Sequence, residues 1–287
     1  ATDLALAAEH PVFRRVAAAG HPDLLTLERG LNEKTGKRRG EIVIEEVRQA
    51  TGRLHHTAAE GGWRILVVDS ADELNRNAAN ALLKILEEPA PNSLMLLVSH
   101  APGALLPTIR SRCCHLALAP LPDATVAGLL DDYVPDLDGA EKTALVGLAE
   151  GSIGRALELI EAGGIDLYRA LLALLSGLPR LDIPKAQAFA EELARDREGR
   201  AFATAMELLG WWLARLVREA AAGRRPAAMV PEEEGVAARL LARRPLADWL
   251  ALWEKLTRLV DRTDRVNLDR KQVAMMAFLE FEALTAA

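Results

Sequence analysis

"RILVVDSADELN", residues 64–75, sets an apolar run directly against an aspartate and a turn. A short, near-continuous run of Ile, Leu and Val reads as a strand of a parallel sheet buried on both faces. "LNRNAANALLKILEEP" (74–89) overlaps its end and carries helical periodicity. On a helix beginning near Asn75 and stopped by Pro89, the residues Asn77, Asn80, Lys84, Glu87 and Glu88 make one polar stripe. Ala78, Leu82, Ile85 and Leu86 cover the opposite, sheet-facing side. Working outward, "LMLLVS" (94–99) and "CHLAL" (114–118) read as further strands and "DLLTL" (23–27) as a weaker one. Helices are predicted over Pro11–Ala19 and about Glu45–Ala59. Strands alternating with helices predict an α/β unit with a parallel sheet.

After "LAPLP" (118–122) strands give way to Ala, Leu, Arg and Glu in helical periodicity. The expected organisation is an α/β domain over 1–119, a small helical unit over 120–162 closing at Gly163-Gly164, and a larger all-α domain over 163–287. Trp249, Leu252, Trp253, Leu256, Leu259 and Val260 fall on one helix face, which marks the tryptophans as core. "GRRPAAMVPEEEG" (223–235) reads as a loop.

The 287 residues, half of them apolar, suffice for more than one core. No apolar run approaches the roughly 20 residues needed to cross a bilayer, and the first residues lack the pattern of a secretion signal. The adjacent Cys113 and Cys114 are poorly placed for a structural disulfide and too few for a cysteine-only zinc site. A reducing cytoplasm fits. A formal charge of −6 offers no general electrostatic footprint for nucleic acid. The basic run "KTGKRRG" (34–40) is the local exception, read first as a solvated loop and second as a phosphate contact.

Three positions carry candidate chemistry. Asp69 ends a buried strand, where a carboxylate either holds magnesium beside phosphates or caps the next turn. The following residue, where a nucleotide-hydrolysing enzyme places a carboxylate, is Ser70. Arg112, with Arg110 as its competitor, either satisfies orphan carbonyls at a helix end or offers a fork of donors to phosphate oxygens. His10, His21, His55 and His56 have no supporting Cys or carboxylate spacing and read as surface residues, so no zinc is expected.

"VVDSADELNRNAANALLKILEEP", "LLVSHAPGALLPTIRSRC" and "GSIGRALEL", in this order, resemble the AAA+ clamp-loader subunits of bacterial DNA polymerase III. The likeness is closest to the delta-prime type, less close to the gamma/tau ATPase subunits, and covers about half the chain. It implies a RecA-like AAA+ domain, a helical lid and a helical collar through which subunits form a ring. It also implies that Asp69 stands at the Walker B position, Ser99 at the sensor-one position, and Ser111-Arg112-Cys113 as the family's Ser-Arg-Cys motif. The arginine of that motif reaches into a neighbouring subunit's ATP site.

The chain departs from the ATPase pattern in three ways. Ser70 replaces the catalytic glutamate, and Gly154 stands where ATPase subunits have a nucleotide-sensing arginine, with Arg155 displaced about 100° around the helix. The Gly-rich phosphate loop is absent from the 287 residues, so the α/β part looks N-terminally incomplete, lacking its first strand, loop and helix. The family's cysteine-based zinc module is also absent. The resemblance therefore implies a non-hydrolysing subunit of the DNA polymerase III holoenzyme. It would assemble with gamma/tau and delta subunits to load the sliding clamp on primed DNA, with ATP and magnesium held by the neighbour, and it would have no membrane role. The alternatives are an ATP-hydrolysing gamma/tau-type subunit and an inactive AAA+ scaffold outside replication.

Overall fold

Three parallel strands, β1 (Leu24–Leu27), β2 (Arg64–Val68) and β3 (Ser93–Leu97), lie side by side in that order. The register pairs Leu24 with Ile65 and Ile65 with Leu94. They come from a computed structural model that describes residues 6–31, 36, 39–54 and 57–286. The chain divides into two compact units, Ala1–Ala117 and Leu118–Ala287. The Lys34–Gly40 run lies largely outside the described residues, and His55 and His56 lie wholly outside them.

In the first unit, helices α1 (Pro11–Ala17), α2 (Ile44–Leu54), α3 (Arg76–Glu87) and the one-turn α4 (Pro107–Arg110) accompany the sheet. Val47 and Leu54 of α2 and Ala78, Leu82 and Ile85 of α3 form one core with Leu27, Leu66 and Val68 of the strands. The α3 stripe is as expected: Asn77, Asn80, Lys84, Glu87 and Glu88 are exposed, while Ala78, Leu82 and Ile85 are buried and Leu86 partly so. Asn75 starts the helix, its side-chain oxygen accepting from the Ala78 N–H at 2.9 Å. Asn75→Ala is expected to cost about 1 kcal/mol, the usual worth of an N-cap, measurable as a shift in the denaturation midpoint of this unit.

Helix α2 is described over Ile44–Leu54, and residues 57–59 are not helical, so the helix does not reach the expected Ala59. The Ala59 and Glu60 N–H groups instead donate to the buried Asp23 carboxylate, at 2.9 and 3.0 Å. These bonds hold the Asp23 carboxyl below its ordinary range.

Two sheet expectations need correction. Residues 114–118 are not a strand: they form neither helix nor ladder, and Leu116 and Leu118 are 84% and 86% exposed. An apolar run becomes a strand only against a hydrogen-bonding partner, and among the described residues no strand lies beside this one. The strands are also not buried on both faces. Met95 and Leu97 turn toward the helices, whereas the alternate residues Leu94 and Leu96, with Val98 beyond them, are exposed. Their face has no covering layer among the described residues, and the outer edge of β3 has no neighbouring strand there.

The second unit is all helix: α5 (Asp123–Tyr133), α6 (Gly139–Ala149), α7 (Ile153–Glu161), α8 (Gly164–Ser176), α9 (Ile183–Arg195), α10 (Arg200–Ala221), α11 (Val236–Leu241), α12 (Leu246–Val266) and α13 (Arg270–Ala286). The fold is thus α/β plus all-α. One continuous core runs from Val126 to Phe281, with α10 packed on α8 and α12, and α9 packed on α13. Trp249 is fully buried, and Trp253 packs against the same core. At the α7–α8 junction Gly163 takes φ 65°, and a Cβ on Gly164 would lie 2.7 Å from the Leu159 side chain, so this corner requires small residues.

The 223–235 loop is pinned from inside. Its single 3-10 turn, Pro231–Glu233, turns Glu233 inward beside Arg215 of α10, and both are almost fully buried. Glu233 accepts from the Arg215 guanidinium, from Trp212 Nε1 at 3.0 Å and from the Met229 N–H at 2.8 Å. Arg215 also donates to the Ala227 carbonyl at 2.9 Å and lies 4.7 Å from the Trp211 ring centroid. Burial first, and the Glu233 charge second, push the Tyr168 hydroxyl well above its ordinary range. Among the described residues, no helix is long and apolar enough to cross a membrane.

Candidate functional site

The C-terminal ends of β2 and β3 stand side by side, tied by Val98 N–H to the Val68 carbonyl at 3.0 Å and Ala71 N–H to the Val98 carbonyl at 2.7 Å. Adjacent parallel strands bring their following residues to one end of a sheet, which is where open α/β folds gather ligands. Asp69 and Ser99 both follow their strands at this end. Asp69 is exposed, its N–H bonded to the Leu27 carbonyl at 2.9 Å, and its carboxylate has no hydrogen bond or ion pair among the described residues. Ser70 has φ 62°, a left-handed conformation uncommon for a residue with a Cβ, and leads into the one-turn 3-10 helix Ala71–Glu73.

The carboxylate that meets Ser99 is Asp72, which sequence reasoning passed over. Burial opposes ionisation of Asp72, but its own N–H and the His100 N–H at 3.0 Å outweigh it and hold the carboxyl below its ordinary range. The Ser99 oxygen is itself buried and makes no well-aligned hydrogen bond. The structure therefore brings together Asp72, Ser99 and His100, with Asp69 left outside this set.

The arginines stand on the turn that follows β3. Pro107 starts α4 with its φ already suited to a helix, and Ile109, 1% exposed, anchors the turn in the core. That anchor leaves Arg110 and Arg112 on the outside. Arg112 donates through Nη1 to the Thr108 carbonyl at 3.0 Å, a helix-end contact, and through Nη2 to Glu87 Oε1 at 2.5 Å. The Arg110 guanidinium has no hydrogen bond or ion pair among the described residues. Its backbone carbonyl accepts from the Cys113 N–H at 3.3 Å and from His115 Nε2 at 2.8 Å. Cys113 is half-buried and Cys114 exposed, and both are free thiols; burial, then its neighbour Cys114, pushes Cys113 above the ordinary thiol range.

In the second unit the "GSIGR" motif has a local account. Gly151 takes φ 82°, and a Cβ there would lie 2.7 Å from the Leu121 carbonyl oxygen, so only glycine fits. Ser152 caps α7, accepting from the Arg155 N–H at 3.2 Å. Arg155 is paired with Glu207 at 3.1 Å. Gly154 has room for a side chain, its nearest outside atom being Ser152 Oγ at 3.9 Å. His10 and His21 serve local turns, each accepting a backbone N–H through Nδ1 at 3.2 Å, from Val12 and Asp23 respectively.

Residues 7–122 match a family described as "DNA polymerase III, delta subunit". A DNA polymerase III subunit delta' of Pseudomonas aeruginosa is 41% identical over 138 residues, covering 48% of this chain and 40% of that protein. The subunit delta' of Escherichia coli K12 is 35% identical over 161 residues, covering 55% and 46%. A subunit gamma/tau of Mycobacterium bovis is 33% identical over 87 residues, covering 30% and 15%. The matched stretch thus spans less than half the length of each of these relatives.

Proposed function

We propose, for a chain whose first unit is related to the delta-prime subunits of DNA polymerase III, that it serves in the clamp loader without hydrolysing ATP itself. The observation that carries this reading is the turn 107–113, anchored by Ile109 and presenting Arg112 outward. In this reading Arg112 enters the ATP site of an adjacent gamma/tau subunit and stabilises charge developing on the γ-phosphate, as a planar guanidinium supplied across an interface does. Magnesium and ATP belong to the neighbour's site.

The chain's own strand ends suit that division of labour. A nucleotide-hydrolysing site needs a carboxylate placed to orient water, and Ser70 has none. Asp72 is committed to the His100 N–H, and Arg155 is committed to Glu207. Residues 120–162 would act as the lid and 163–287 as the collar that joins gamma/tau and delta subunits. The sliding clamp and primed DNA would be met through the assembled ring, in the cytoplasm.

The test is reconstitution. The full-length subunit, mixed with gamma/tau and delta subunits, is expected to co-elute as one complex that loads the clamp on primed DNA, and alone to show no DNA-stimulated ATP hydrolysis. Turnover by the isolated subunit would overturn the non-hydrolysing assignment. Failure to co-elute would point to a scaffold outside replication.

A further inference from the structure

We propose that Glu87 is the positioning residue for Arg112, an inference that rests on the trans role given to that arginine above. A guanidinium has five N–H donors in a rigid plane. In Arg112 two are fixed from two different elements: Nη2 by Glu87 Oε1 at the end of α3, at 2.5 Å, and Nη1 by the Thr108 carbonyl of α4, at 3.0 Å. Two anchors on one plane define its orientation, and three donors remain for an incoming phosphate. A long arginine side chain otherwise loses rotamer freedom when it engages a ligand, and here part of that ordering precedes docking.

The pairing is selective on both sides. Arg110 stands two residues away on the same exposed turn, yet its guanidinium has no ion-pair partner among the described residues. Lys84, one turn before Glu87 on α3 and at a spacing that permits a helix ion pair, makes none there either. Glu87 also sits at the negative end of the α3 dipole, where a carboxylate is unfavourable unless a cation answers it. Arg112 answers it. Helix α3 thereby contributes one side chain of its polar stripe to the orientation of an arginine 25 residues later in the sequence.

The test uses the full-length subunit with Glu87→Ala, Glu87→Gln and Glu87→Asp, alone and in the reconstituted loader. In the isolated subunit, the Arg112 guanidinium NMR signals, assigned with Arg112→Lys, are expected to show hindered rotation in the parent and averaging in Glu87→Ala. In the loader, kcat for ATP hydrolysis is expected to fall roughly 2- to 5-fold in Glu87→Ala with KM unchanged, the size of effect that a partly exposed ion pair supports. Glu87→Gln, which keeps the shape without the charge, should fall between the two, and Glu87→Asp should restore part of the loss. In an Arg112→Ala background, changing Glu87 should do nothing more. Unchanged Arg112 signals, or an equal loss in that background, would overturn the proposal. If Arg112→Ala itself leaves hydrolysis unchanged, the trans role fails first and the positioning role falls with it, whatever the NMR signals show.

Discussion

Arg112→Ala is expected to slow ATP hydrolysis about 10³-fold at the one ATP site this subunit completes, the lower end of what an arginine supplied across an interface contributes. The loss arises because an alanine leaves the charge developing on the transferred phosphoryl group without its donor fork. Arg112→Lys should recover little, since an ammonium is a point charge and cannot present two parallel N–H groups in a fixed plane. The measurement is single-turnover hydrolysis and clamp loading by the reconstituted complex, with assembly checked by co-elution. Arg110→Ala is the internal control: it shares the turn and the exposure of Arg112 but lacks its two anchors. A large loss from Arg110→Ala with none from Arg112→Ala would transfer the role two residues upstream.

The second large effect is expected in the helical unit, away from the arginine turn in sequence. Glu233→Ala should destabilise that unit by about 3–5 kcal/mol, because it strands a buried charge on Arg215. The Trp212 and Met229 N–H groups lose their acceptor at the same time. For a helical unit of this size the loss corresponds to a fall of about 10 °C in Tm. Glu234→Ala, next in sequence but not part of the buried network, should stay within about 0.5 kcal/mol. Replacing Glu233 and Arg215 together by methionine should recover much of the loss, since removing both charges avoids the uncompensated one. A Glu233→Ala protein melting within a degree or two of the parent would show that the pair contributes little.

These two sites were unequally visible in the sequence. The strands at 64–68 and 93–97 and the amphipathic α3 could be read from local periodicity, because apolar spacing is a property of the segment itself. The false strand at 114–118 has the same apolar character, and what it lacks is a partner, which no local pattern reports. One-sided burial of β3 escaped for a related reason: a continuous apolar run implies two covering layers, and only the α2/α3 layer is present among the described residues.

Arg112 could be singled out from its motif, whereas its bond to Glu87 joins residues separated by β3 and a loop. Glu233 was hidden by its neighbours. "PEEEG" reads as a solvated acidic run, and only the tight turn of residues 231–233 selects which of three consecutive glutamates faces inward. At the strand ends, Asp69 drew attention as the first carboxylate after the strand, while the hydrogen bonding converges on Asp72 three residues later.

The bare side of the sheet bears on how the chain behaves in solution. β3 reads Ser-Leu-Met-Leu-Leu, with no charge and no proline inside it, and its outer edge presents unpaired backbone groups among the described residues. Such an edge is a template for another strand, including the same strand of a second molecule. The nearest charges before it are Glu87 and Glu88, and Pro89 and Pro91 are the nearest breakers. They hinder pairing at the strand's beginning and leave Leu94–Leu97 unguarded. Leu96, exposed on that face, is the position where a lysine is expected to blunt edge-to-edge self-association through β3.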